Sequence, residues 1–281
     1  MHYAFDHGIT HFDLANNYGP SYGSAEETFG QIMKSSFAPY RDELFISTKA
    51  GHDMWPGPYG NWGSRKHLMA SLDQSLKRMN LDYVDVFYSH RYDPDTPLEE
   101  TLQALADIVR KGKALYVGLS KYPLDAYLFA CHYLRERDVP CLLYQGRYSM
   151  LVREPESQGI LNAVKENGSG FVAFSPLAQG LLTNRYLNGI PDDSRIARGG
   201  FLKKEALTPE VLSKIQALNE RAAMRGQSLA EMALAWLLKN ETVTSVIVGA
   251  SSVEQLGDSL KTLNHLSFEE EELHAIEKIL M

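Results

Sequence analysis

Short, nearly unbroken apolar runs alternate along the chain with stretches whose apolar residues recur every three or four positions. The runs at 11–15, 44–50, 84–90, 115–120, 142–148, 171–176 and 245–249 predict strands that are apolar on both faces, as in a parallel sheet covered on either side. Between them, Leu68, Leu72, Leu76 and Met79 mark one face of a helix that Ser64 should cap. Leu102, Leu105 and Val109 mark another. Thr96-Pro97-Leu98-Glu99 before it reads as a capping box with proline at the first helical position. Thr208-Pro209 opens a helix with Leu212, Ile215 and Leu218 inward, and Ser228-Leu229-Ala230-Glu231 is a further capping box.

Strand, helix, strand, repeated, is the unit of a parallel α/β sheet. The chain has 281 residues, and a TIM-type (β/α)8 barrel needs ~250. With no linker in the pattern, a single barrel domain over 1–281 is expected. Only seven parallel strands are recognisable, where a closed barrel uses eight. The chain opens in the last turns of a helix, 1–7, stopped by Gly8, so the expectation is a barrel whose first strand is missing. The longest insertion, 179–208, is rich in Gly, Asp and Arg, and long loops in compact domains tend to carry function.

Composition narrows the picture. An apolar content of 44% makes a disordered chain untenable. The net charge of −7, without a long Lys/Arg run, argues against nucleic acid or an anionic membrane surface as a partner. No apolar run is long enough to cross a bilayer and no leader is visible, so a cytoplasmic enzyme is expected. Cys131 and Cys141 lack metal-ligand spacing and read as buried thiols, with no metal implied.

In β/α barrels the chemistry gathers where strands end. The first strand ends in Asp13, followed by Asn16, Asn17 and Tyr18; the next ends in Lys49, the third in His90. Later strand ends carry Ser120, Gln145, Tyr148, Ser175, Gly249 and Ser251. A carbonyl that accepts hydride leaves an alkoxide that needs a proton. Tyr18 can supply it if the Lys49 ammonium lowers a phenol pKa that is ordinarily ≈ 10. Asp13 would orient Lys49, and His90 would hold the carbonyl oxygen or share the proton. Each residue alone has a plainer reading: an ion pair, a packed turn tyrosine, a core histidine. The four together at successive strand ends outweigh those readings. The loop with Trp55, Tyr59 and Trp62 reads equally as a substrate wall or as a packed cap.

The chain resembles the aldo-keto reductases. The resemblance rests on Gly8-Ile9-Thr10-His11-Phe12-Asp13-Leu14-Ala15-Asn16-Asn17-Tyr18-Gly19, Ser47-Thr48-Lys49, 82–90 ending in Ser89-His90, Ser175-Pro176-Leu177-Ala178-Gln179-Gly180-Leu181-Leu182, and 248–256. It covers nearly the whole chain. Met54-Trp55-Pro56-Gly57-Pro58-Tyr59-Gly60 and Arg185-Tyr186-Leu187 resemble one bacterial branch, which includes L-glyceraldehyde 3-phosphate reductases and is similar to the β subunits of voltage-gated potassium channels.

The resemblance implies NADP(H)-dependent reduction of small aldehydes or ketones, such as glyceraldehyde 3-phosphate or methylglyoxal. Asp13, Tyr18 (proton donor), Lys49 and His90 would be catalytic. Ser120 and Gln145 would hold the nicotinamide amide and Tyr148 would stack on its ring. Ser175, Leu177, Gln179, Gly180, Leu181 and Arg185 would wrap the pyrophosphate, and Gly249, Ser251 and Gln255 the adenosine end. Three positions depart from the family pattern: Lys121, Asn184, and Ser252, which stands where relatives often place an arginine for the 2′-phosphate. Arg195 and Arg198 in the long loop are candidates to replace it. A small carbonyl compound and a further copy of the chain in a homo-oligomer are the expected partners; the alternatives to the enzyme are a cofactor-sensing regulatory subunit with little turnover or an inactive truncated form.

Overall fold

Every predicted strand forms, each within three residues of its expected ends. In the computed structural model these are β1 (His11–Asp13), β2 (Phe45–Ala50), β3 (Val84–Ser89), β4 (Ala114–Ser120), β5 (Cys141–Arg147), β6 (Gly170–Phe174) and β7 (Val243–Val246). The helices are α1 (His2–Asp6), α2 (Ser24–Ile32), α3 (Arg65–Met79), α4 (Leu98–Arg110), α5 (Leu124–Arg135), α6 (Glu154–Ser157), α7 (Ile160–Glu166), α8 (Pro209–Met224), α9 (Leu229–Leu238), α10 (Val253–Lys261) and α11 (Glu270–Leu280). The structure describes residues 1–187, 189–191 and 202–281, so Arg195 and Arg198 lie outside the described residues. The described residues group into two compact units, Met1–Gln145 with Asn162–Gly170, and Gly146–Leu161 with Phe171–Met281.

In the first unit β1 to β5 pair in chain order, all parallel. In the second, β6 pairs parallel with β7. A parallel strand followed by a helix, repeated, is the architecture of a TIM-type barrel. One contact measures how far the first sheet curls. Laid flat, β1 and β5 would stand roughly 19 Å apart, four strand spacings. Yet Gln145 Nε2 on β5 donates to Asp13 Oδ1 on β1 at 3.1 Å. Only a sheet bent around its inner face brings those side chains together.

Helix starts follow the sequence at three of four places. Ser64 accepts from His67 N, Thr208 accepts from Val211 N, and Ser228 and Glu231 form a reciprocal capping box. At α4 the expectation fails. Pro97 is the N-cap and Thr96 caps nothing, because the Thr96 amide is itself bound by Asp93 Oδ1, which also takes the amide of Asp95. The aspartate closes a turn ahead of the helix, and the box is not built.

The inner face is crowded where β3 meets β4. Gly118 lies opposite Tyr88, and a Cβ there would stand 2.3 Å from two carbons of the buried Tyr88 ring. Gly118→Ala is therefore expected to cost ~1–3 kcal/mol by overpacking. The urea midpoint should fall at an unchanged m-value; an unmoved midpoint would mean that Tyr88 has room to shift.

Candidate active site

Strand alternation sorts the side chains of β2. Thr48 turns outward, its hydroxyl donating to Glu26 on α2 at 2.5 Å, so Ser47 and Lys49 turn inward. The register sets Asp13 beside Ser47 and Lys49 beside Tyr88. Asp13 is consequently saturated: Oδ1 accepts from Ser47 Oγ at 2.7 Å and from Gln145 Nε2 at 3.1 Å, and Oδ2 accepts from Lys49 Nζ at 2.5 Å. Lys49 is fully buried and gives a second N–H to the Leu14 carbonyl at 2.7 Å. An ammonium has three donors, so one remains. Lys49 Nζ stands 4.9 Å from the centroid of the Tyr18 ring. Ser47 spends its proton on Asp13, so the 3.0 Å contact from His11 Nε2 is an N–H donated to Ser47 Oγ.

Tyr18 sits in the turn after β1, its amide bound to the Ala15 carbonyl, with 36% of its surface open. Its ring meets His90 edge-on, centroids 5.8 Å apart. His90 is buried, and its pKa is driven far below the usual histidine range, first by burial and then by the positive charges of Lys49 and Lys121. It is neutral at any physiological pH, an imidazole with one N–H donor and one acceptor nitrogen. The structure thus brings all four expected catalytic residues, and Gln145, into one cluster.

A carboxamide-bearing cofactor can be tested against what surrounds the cluster. Ser120 pairs in register with Gln145, and its hydroxyl is buried without a partner among the described residues. A buried orphan hydroxyl costs about 1–3 kcal/mol, and a ligand amide would satisfy it. A hydroxyl beside a side-chain amide suits the donor and acceptor of a nicotinamide carboxamide. The residues present fit that group.

In the second unit the loop after β6 holds Ser175, Leu177, Gln179, Gly180 and Leu181. Ser175, Ala178 and Gln179 all adopt left-handed backbone, φ 54°, 47° and 60°. Non-glycine residues in that region cost on the order of 1–3 kcal/mol each, and such strain collects at ligand clamps. Arg185 lies exposed in a following turn. Gly249 is exposed beyond β7, and Ser251 gives both its amide and its hydroxyl to Gln255 Oε1 at 2.9 Å. Ser252 caps α10 by accepting from Gln255 N at 3.2 Å, a role an arginine could not fill.

Tyr148 departs from its expected place. Its ring is 2% exposed, packed edge-on against Phe171 and tilted against Trp236, and its hydroxyl donates to Glu156. No face is left for stacking, so it is a core residue. Half-buried Phe174, the last residue of β6, is the aromatic with surface at that strand end, and the sequence reading passed over it. In the first unit the aromatic loop is divided. Trp55 leans on His67 and exposed Tyr59 on Lys66, while Trp62 lies under Arg91, 3.6 Å from its guanidinium. Ser47 and His11 were also overlooked, although strand alternation already placed both on the face of Lys49 and Asp13.

The aldo/keto reductase family model matches residues 1–281. L-glyceraldehyde 3-phosphate reductase of Escherichia coli O157:H7 is 58% identical over 280 residues, 98% of this chain and 81% of that protein. This chain belongs to the aldo/keto reductase family. The same-named protein of E. coli K12 is 57% identical over an equal span. A probable voltage-gated potassium channel β subunit of Arabidopsis thaliana is 37% identical over 265 residues, 92% of this chain and 79% of that protein. As an aldo-keto reductase the chain is an oxidoreductase acting on small carbonyl compounds. No helix among the described residues is long and apolar enough to cross a membrane.

Proposed function

We propose that the whole chain is one NADP(H)-dependent reductase domain that converts small aldehydes or ketones to alcohols, with Tyr18 as the proton donor. The observation that carries this reading is the half-open Tyr18 ring set against Lys49 and neutral His90. Ser120 and Gln145 are assigned the carboxamide. In the second unit, the loop 175–181 with Arg185 is assigned the cofactor phosphates. Gly249, Ser251 and Gln255 are assigned the adenosine end, where the N-terminus of α10 favours negative charge. The reduced nicotinamide supplies the hydride when bound.

The chain's own groups then handle the proton. Tyr18 donates it at the carbonyl oxygen, and the third N–H of Lys49 stabilises the phenolate left behind. Asp13 fixes Lys49 in place through Oδ2 while Ser47 and Gln145 hold Oδ1. His90 cannot lose a charge it does not carry, so it serves as a neutral hydrogen-bond donor to the same oxygen. The likeness to proteins named for glyceraldehyde 3-phosphate favours phosphorylated trioses, with methylglyoxal as a smaller substrate.

Fluorescence titration with NADPH and NADH, followed by a panel of aldehydes, tests this reading. NADPH should bind more tightly than NADH, and added aldehyde should consume it. Tight binding without turnover would instead support the regulatory-subunit reading, suggested by the channel-subunit relatives.

A further inference from the structure

Three successive strand ends each place a nitrogen-bearing side chain next to a residue of the cluster. His52 comes two residues after the end of β2, Arg91 directly follows His90 after β3, and Lys121 directly follows Ser120 after β4. We propose that Arg91, Lys121 and His52 form a subsite for the phosphate of the carbonyl substrate, selecting short phosphorylated aldehydes over uncharged ones. The proposal rests on the reductase reading above and goes on to name the residues that choose the substrate.

Arg91 is held but not neutralised. Its Nε donates to the Gly51 carbonyl at 2.8 Å, an Nη2 hydrogen goes to Asn61 Oδ1 at 2.7 Å, and the plane lies on Trp62. All three partners are uncharged, and Nη1 has none among the described residues. The guanidinium is fixed as a fork with one prong open, the form in which arginine recognises phosphate. Lys121 is exposed and strained, with φ 57°. Its Nζ lies 3.2 Å from His52 Nε2. The His52 pKa is lowered to about 4, by burial and then by Lys121 and Arg91, so this contact is an ammonium donating to a neutral ring. Two N–H groups of Lys121 are left for a ligand.

Neither cation has a carboxylate within ion-pair distance among the described residues. Of the two nearby acids, exposed Asp53 forms an ion pair with neither cation among the described residues, and Asp93 is spent on the amides of Gly63, Asp95 and Thr96. The cost of this arrangement shows in Lys121. Its pKa falls to about 8, by partial desolvation of the ammonium and then by repulsion from Arg91 and Lys49. Like charges gathered with no carboxylate paired to them are unfavourable, and a bound anion relieves them. The place is right for a substrate. The His52 ring meets the His90 ring edge-on at 4.5 Å, and His90 meets Tyr18 in turn. A phosphate on Arg91 and Lys121 therefore lies within one short carbon chain of the carbonyl position.

The test compares glyceraldehyde 3-phosphate with glyceraldehyde at saturating NADPH, in the wild type, Lys121→Met and Lys121→Arg. The readout is the ratio of the two kcat/KM values, alongside calorimetric binding of inorganic phosphate. The wild type should favour the phosphorylated substrate. Lys121→Met should lower the ratio roughly 10- to 100-fold, the range for losing one hydrogen bond to a charged group, mainly through KM. Phosphate binding should weaken alongside, and Lys121→Arg should restore both.

The wild-type ratio should also fall as pH rises through about 8, where Lys121 loses its proton. Arg91 stays charged across that range, and His52 and His90 stay neutral. A wild type that reduces both aldehydes with equal efficiency, or an unchanged ratio in Lys121→Met, overturns the subsite and leaves the reductase reading standing. Should neither aldehyde be reduced, the reductase reading falls. Phosphate binding then decides the subsite by itself: lost in Lys121→Met it is supported, absent from the wild type it is overturned.

Discussion

Tyr18→Phe is expected to lower kcat by roughly 10²–10⁴-fold, the usual range for removing a general acid, while NADPH binds as before. The two effects should separate cleanly. The phenyl ring that packs on His90 and faces Lys49 is retained. The hydroxyl makes no hydrogen bond among the described residues and sits on a side chain that is 36% exposed, so its loss leaves no buried group stranded. Folding stability should therefore stay within about 0.5 kcal/mol. Lys49 would be a poorer choice, because its removal leaves the largely enclosed Asp13 carboxylate without its cation. Single-turnover oxidation of bound NADPH is the measurement to make, since it isolates chemistry from release. A kcat within tenfold of the wild type would remove Tyr18 as the proton donor and shift attention to His90.

The positions of the chemistry were legible because strand ends are legible. Asp13, Lys49, His90, Ser120 and Gln145 each lie at or near the end of an apolar run, and the register of β1 to β5 brings their strand ends together. What escaped depended on local chain reversal or on contacts between distant segments. Tyr148 also closes an apolar run, but β5 stops at Arg147 and the chain turns back through the Ser149–Val152 bridge, which buries the ring. Thr96 had the chemistry of a cap and lost its place to Asp93, three residues earlier. The grouping of His52, Arg91 and Lys121 joins residues up to 69 positions apart, and no spacing rule announces it. Ser47 differs in kind, since its place two residues before Lys49 on a strand was enough to predict that it faces Asp13.

The largest stability effect expected is at Arg78, on the side of β2 away from the chemistry. Glu26 on α2 has no exposed surface. Its carboxylate accepts from Thr48 Oγ1 at 2.5 Å and from Arg78 Nε of α3 at 2.7 Å. The two helices come close here because Gly30 has no side chain; a Cβ on it would stand 2.1 Å from the Arg78 carbonyl. Arg78→Met keeps most of the stem and deletes the cation, leaving a buried carboxylate with one hydroxyl. Breaking a buried pair in this way costs ~3–5 kcal/mol, and Tm should drop on the order of 10 °C. Replacing both partners, Glu26→Leu with Arg78→Met, should recover much of the loss, because the desolvated charge is gone as well. A single variant within about 2 °C of the wild type would mean that water reaches Glu26. The consequence reaches the active site through one peptide bond. Thr48 is the residue before Lys49, so the clamp that holds its hydroxyl outward also holds the lysine inward. The double variant should then fold with Thr48 unanchored, and any fall in its kcat at full stability measures what that anchoring gives Lys49.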